Sequence, residues 1–142
     1  MCKSSVLLLA LCTLLVAPVF AAAPITVSGA WIRLIPGDAP CGGYLAIHNN
    51  TDKPIELTEV SGPDFKRIEL HHSMGAGGMS HMTPVKSITV PAQGEFSFSP
   101  GGYHLMMWRR NKLDVGQQVP LTLHFSDGWT VRATFTVKGA AG

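Results

Sequence analysis

The sequence predicts an all-β domain built as an antiparallel β-sandwich. Three observations predict it. Nine short segments are rich in β-branched and aromatic residues, and turn signals separate them. Beyond the first 21 residues, no window of eleven keeps a helical apolar period. Seven to nine short strands in a single chain of this length are what a sandwich or barrel requires.

The N-terminal stretch is not expected to join that domain. Met1-Cys2-Lys3 forms a short positive start, Val6 to Ala17 is apolar apart from Cys12 and Thr13, and Val19-Phe20-Ala21 offers small residues at cleavage spacing. This reads as a secretory signal peptide over residues 1–21, too short and wrongly flanked for a stable membrane span, with cleavage after Ala21 or alternatively Ala23. A lipoprotein reading through Cys12 is weak, because Leu11 stands where a small residue is expected. The domain is then 22–142, exported to the periplasm, with no second apolar run of spanning length.

Strands are expected at Ile25 to Leu34, Gly43 to Asn49, Ile55 to Val60, Lys66 to His72, Ser87 to Val90, Glu95 to Ser99, Tyr103 to Trp108, Val119 to Ser126 and Trp129 to Val137. Between them lie Asn49-Asn50-Thr51-Asp52, Pro91-Ala92-Gln93-Gly94, Pro100-Gly101-Gly102 and Asp127-Gly128, all turn chemistry. The last two strands form the clearest hairpin. Leu121, Leu123 and Phe125 alternate with polar neighbours, as do Val131, Ala133, Phe135 and Val137. That alternation makes His124 an outward polar position, and His48 looks similar. There is no internal repeat, linker or low-complexity tail.

Removing the signal peptide leaves ten basic and nine acidic residues, a net charge of +1. This balance supplies no argument for nucleic acid or a membrane surface as partner. Arg109, Arg110 and Lys112 read as a solvated loop cluster. Cys2 and Cys12 leave with the signal peptide, so Cys41 stands alone and cannot form an internal disulfide. In its turn-rich setting it reads as a small loop residue, with an extra ligand or an intermolecular disulfide as alternatives.

The donor chemistry is concentrated elsewhere. Five of the six methionines fall between positions 74 and 107, and four of the six histidines between 71 and 104. Thioether sulfur is soft and carries no proton, so imidazole and thioether together suit Cu(I) better than Zn, Mg or Ca. Strand alternation puts His104 and Met106 on one face, with Leu105 and Met107 on the core face. His71 leaves the core face of its strand, which Ile68 and Leu70 occupy. The segment from Met74 to Met82 reads as a flexible glycine-rich turn that folds Met82 back toward His71 at modest entropic cost. His72, Met74, Met79 and His81, in or beside that turn, are spectators or a secondary site.

The pattern His71-x10-Met82-x21-His104-x-Met106 resembles the periplasmic copper chaperones of the PCuA(C) family. Ala30-Trp31-Ile32-Arg33, Gly43-Tyr44-Leu45, Glu69-Leu70-His71, Met82-Thr83-Pro84-Val85, Pro100 through Met106 and Val119 through Leu123 look like further family blocks, so the likeness spans the domain. The resemblance implies a cupredoxin-like sandwich binding one Cu(I) through His71, Met82, His104 and Met106. It also implies delivery to the dinuclear copper centre of cytochrome c oxidase subunit II, beside a Sco-type thioredoxin-like partner. A His/Met-rich C-terminal extension known in some relatives has no counterpart before Gly142.

A blue-copper electron carrier needs a Cys thiolate among its ligands. Cys41 precedes every candidate histidine, and no Cys is interleaved with His104 and Met106, so transport of metal is expected rather than of electrons. Copper storage without a client is the rival, and an interaction module with incidental His and Met is a third reading. No carboxylate pair or Ser/His/Asp or Cys/His arrangement points to an enzyme.

Overall fold

A computed structural model describes residues 16–19, 21–76 and 79–142, with the side chains at 76–80 excepted. Most of the expected signal peptide, and the two residues Gly77 and Gly78, lie outside the described residues. Among the described residues ten strands are present: β1 (Ile25–Arg33), β2 (Cys41–Asn49), β3 (Ile55–Ser61), β4 (Phe65–Ala76), β5 (Met79–Pro84), β6 (Ile88–Val90), β7 (Gly94–Phe98), β8 (Tyr103–Arg109), β9 (Gln118–Phe125) and β10 (Thr130–Lys138).

All nine expected strands appear, within a few residues at their ends. Two expectations about the strands and their pairing need correction. The glycine-rich segment is a hairpin rather than a flexible turn. β4 continues to Ala76 and pairs residue by residue with an unforeseen β5, from His71 opposite Pro84 to Ala76 opposite Met79. Glycine is a poor strand former, so propensity hides a strand that neighbouring hydrogen bonds can still impose. The sheet is also not wholly antiparallel. β1 and β10 run parallel, with Trp31 opposite Thr136 and Arg33 opposite Lys138.

The strands follow the order β5-β4-β8-β2-β1-β10-β9-β3-β6, with β7 also paired to β2. β2 gives Cys41–Gly43 to β8 and Leu45–Asn49 to β7, so both lie along one of its edges. The sheet curls over a single core whose largest fully buried members include Ile32, Ile47, Leu57, Leu105, Met107, Leu121, Leu123 and Phe135. Alternation decides which side chains enter it. In β8, Leu105 and Met107 are fully buried while Met106 between them is half-buried on the other face.

Cys41 is corrected likewise. It is the first residue of β2 rather than a loop residue, is 1 % exposed, and belongs to the core cluster. It pairs with Met107 and takes that residue's face. Burial also removes it from reach of an intermolecular disulfide. Arg109 is corrected in part. It ends β8, and its guanidinium donates to the carbonyls of Gly37 and Ala39, holding the β1–β2 loop.

A bulge in β1 sets which of its side chains face outward. Ser28 and Trp31 are three positions apart, while their partners Ala46 and Tyr44 are two apart. Gly29 sits there with φ 58°, a left-handed conformation open to glycine. The extra residue reverses the parity of β1, burying Ile32 and turning Trp31 and Arg33 outward beside Tyr44.

Because the faces are so different, adjacent substitutions in β8 should part company. Leu105→Ala is expected to lower unfolding free energy by about 2–5 kcal/mol. Met106→Leu, which conserves volume, is expected to cost less than about 1.5 kcal/mol. Urea denaturation of the metal-free protein measures both.

Candidate metal centre

β4 and β8 pair antiparallel with His71 opposite His104, Glu69 opposite Met106 and His72 opposite Tyr103. In an antiparallel pair, directly opposed residues share a face. On β5, Met82 is opposite Ser73, two residues from His71 and therefore on the same face again. Register alone thus gathers His71, Met82, His104 and Met106 onto one side of three adjacent strands. Continuing across the sheet, Gly42 is opposite Met106 and Arg33 opposite Gly42, so Arg33 joins the same face.

The two imidazoles are the buried polar groups of this face, 7 % exposed for His71 and 6 % for His104. Their ring centroids lie 5.8 Å apart. Each ring has one nitrogen engaged. His71 Nε2–H donates to Glu69 Oε2 at 2.8 Å, and His104 Nδ1–H donates to the Gly102 carbonyl at 3.2 Å. The remaining nitrogens, His71 Nδ1 and His104 Nε2, are buried with no hydrogen-bond partner. A buried acceptor left unpaired costs about 1–3 kcal/mol, so two of them on neighbouring rings of one face demand a physical reason. An imidazole that donates one N–H to a carboxylate or carbonyl and leaves its other lone pair free is held as a metal ligand is held.

Glu69 is itself supported. Arg67 Nε reaches Glu69 Oε1 at 3.1 Å, and the Arg67 guanidinium lies 3.8 Å from the centre of the Trp108 ring. Reasoning from sequence missed this Trp108–Arg67–Glu69–His71 chain. The available clue was parity, because Arg67, Glu69 and His71 alternate with Ile68 and Leu70.

A cleft of about 430 Å³ opens over the thioether side of the site, lined by Met82, His104 and Met106 together with Arg33, Tyr44 and Ser73. Met82 is 55 % exposed at its rim, and Met106 is half-buried. Gly42 helps keep the space open, since a Cβ there would come within 2.7 Å of Tyr44 Oη. Arg33 leans over Trp31 and Tyr44, its guanidinium 5.5 and 5.4 Å from their ring centres. Among the described residues, no three His, Cys, Asp or Glu side chains gather closely enough to hold a metal. The donors that this face gathers are two imidazoles and two thioethers, a set that suits a soft ion. Cys41 also borders the cleft, but it is 1 % exposed and parity turns its thiol to the core face, so among the described residues no thiolate joins the two histidines.

The expected spectators divide. His124 Nε2 pairs with Ser61 Oγ at 2.8 Å, and His48 pairs with Ser28 and Glu95. His72, Met74 and His81 lie on the opposite face of the β4–β5 hairpin from His71 and Met82. The side chain of Met79 lies outside what is described.

Burial lowers the pKa of His104 from its ordinary value of 6.5, and the neighbouring His71 and His72 push the same way against the Gly102 hydrogen bond. Unfolding restores the ordinary pKa, so just below pH 6.5 the unfolded chain binds more protons than the folded one. The resulting contribution to stability is complete above pH 6.5 and is lost as pH falls through the lowered folded value. Urea midpoints of the metal-free protein should therefore fall on acidification through this window, and the fall should be smaller in His104→Gln.

The family model "Putative lipoprotein LpqE-like" matches residues 25–137, nearly the whole described domain. A protein of Leifsonia xyli subsp. xyli, "Putative lipoprotein Lxx21020", is 28% identical over 120 residues, covering 83% of this chain and 72% of that one. Among solved structures, the Cu(I) form of DR1885 from Deinococcus radiodurans is 33% identical with a TM-score of 0.67, covering 82% of this chain and 79% of that one. The copper-bound PCuAC domain from PmoF2 has a TM-score of 0.69 at 22% identity, covering 84% of this chain and 97% of that domain, and shares its fold. The chain belongs to the LpqE-like family, and its all-β, cupredoxin-like domain is of the PCuAC type.

Proposed function

We propose that this protein is an exported Cu(I) metallochaperone that binds one copper ion through His71, Met82, His104 and Met106. The observation that carries the reading is the pair of buried, unpartnered nitrogens, His71 Nδ1 and His104 Nε2, on the face that also holds both thioethers. Glu69 and the Gly102 carbonyl select the tautomers that leave those nitrogens free, and Met82 and Met106 add soft sulfur. Structural relatives described as copper-bound and as the Cu(I) form of DR1885 support a copper-binding role. Copper is cargo in this reading. Thioethers are weak single ligands that do not oxidise to disulfides, and Met82 at the open rim gives an acceptor's ligands a place to begin exchange.

The client we propose is the dinuclear copper centre of cytochrome c oxidase subunit II, with a Sco-type thioredoxin-like protein beside it. Storage or tolerance without a client is the rival. Mixing the Cu(I)-loaded protein with an apo oxidase copper domain separates the two. Growth of the dinuclear centre's absorption supports delivery, while retention of copper on this chain supports storage.

Export and attachment are part of the same reading. Cleavage after Ala21 leaves Ala22 as the N-terminus. The lipoprotein descriptions of the family and of the Leifsonia relative bring Cys12 back as a candidate lipid-bearing residue. The intact mass of protein recovered from envelope fractions distinguishes an Ala22 N-terminus from a lipid-modified Cys12.

Anaerobic titration against a chromophoric Cu(I) chelator should show one tight equivalent that Met82→Leu/Met106→Leu abolishes. Unchanged tight binding in that variant would remove the reading. Glu69→Ala, which frees the His71 tautomer and ring, should weaken binding about 10–100-fold while the fold persists. Affinity should also decline on acidification, because imidazole must be neutral to ligate. The lowered pKa of His104 keeps that ring available below pH 6.5.

A further inference from the structure

Beyond Tyr103 and Gly102, β4 loses its β8 partner, and β4 and β5 continue as a two-stranded ribbon with two faces. One face carries Met82 and, at its base, His71. The other carries a second set of donors that the first site does not use. Met74 is directly opposite His81, and His72 lies two residues back along β4, opposite Thr83. Direct antiparallel partners have Cβ atoms about 4.5–5.5 Å apart and diagonal ones about 7–8 Å, within reach of imidazole and thioether arms converging on a single ion.

Among the described residues, neither Met74 nor His81 is packed into the core or held by a side-chain hydrogen bond. Met74 is 53 % exposed and His81 is exposed, so neither fills a core. His48 and His124 are engaged by Ser28, Glu95 and Ser61. His72 is instead fixed by stacking on Tyr103, with ring centres 4.0 Å apart and planes 7° from parallel. That stacking restrains the ring at the base of the ribbon and reduces the rotamer freedom a metal would have to remove.

We propose that His72, Met74 and His81 form a second Cu(I) site, weaker than the first and open to water, on the reverse face of the hairpin. Two imidazoles and one thioether make a three-donor soft set without a thiolate, which suits Cu(I) and selects against Mg and Ca. The two sites share no ligand but share the ribbon, standing on its opposite faces. The second is the more accessible and the less enclosed, a position suited to taking up copper at low affinity. This inference takes its metal from the reading of the first site, and its own residues can be tested separately.

The test is anaerobic Cu(I) titration of the full chain against chelators of graded affinity, followed by ring ¹⁵N shifts of the histidines. Wild type should bind two equivalents, the second at least tenfold more weakly, and the second should move the His72 and His81 ring nitrogens. His72→Asn/Met74→Leu/His81→Asn should keep the tight equivalent and lose the weak one. Met82→Leu/Met106→Leu should do the reverse, which distinguishes failure of this site from failure of the first. Saturation of wild type at one equivalent would overturn the proposal. So would survival of the weak equivalent in the triple variant, or a second equivalent that leaves the His72 and His81 rings unmoved.

Discussion

The register of β4 against β8, with His71 opposite His104, is the constraint on which the rest depends. Side chains alternate with period two, so a slip of one residue would turn over whichever strand moved: β4 would carry His71 to the core face and Leu70 out, or β8 would carry His104 in and Leu105 and Met107 out. The core prevents that slip. Leu105 and Met107 are fully buried and Leu70 nearly so, and exposing them would forfeit about 1.5–3 kcal/mol apiece. The apolar face therefore holds the polar face in register. β5 then extends the arrangement, because its pairing with β4 sets Met82 opposite Ser73, on the face that His71 shares.

Upon that frame sits a set of buried polar groups that is only partly satisfied. One nitrogen of each imidazole is engaged, by Glu69 and by the Gly102 carbonyl, and the other is not. Such an arrangement costs stability, about 1–3 kcal/mol for each buried acceptor left unpaired. The same burial pulls the His104 pKa down, keeping the lone pair available where an ordinary imidazole begins to take a proton. Arg67 and Trp108 extend the support outward, so the orientation of His71 rests on an ion pair and a stacked guanidinium as well as on its strand. The site is stiff where the histidines lie and open where Met82 lies.

Cys41 shows how position decides chemistry. A thiolate beside two histidines and a methionine would make an electron-transfer centre. In this fold the one cysteine of the domain is nearly as close in the sheet, across from Met107, yet it faces the core. The donors left on the open face are imidazoles and thioethers, a set that suits Cu(I).

Strand content and parity were legible in the sequence because both are local. β-Branched runs between turn residues located nine strands, and alternation placed His104 with Met106 and Leu105 with Met107. The resemblance singled out which methionines to set beside the histidines. Glycine content concealed β5, and a single left-handed Gly29 reversed the parity of β1, turning Trp31 outward and bringing Arg33 to the cleft. Cys41 read as a loop residue because its flanking glycines and prolines outweighed the pairing that β8 supplies. Local pattern was therefore enough to establish the donor chemistry and the side of its own strand on which each donor stands. It was not enough to say which strands are neighbours, in what register, or which ring nitrogen is left free. Those depend on hydrogen bonds between segments far apart in the chain and on the burial they share, and only the folded sheet brings such segments together.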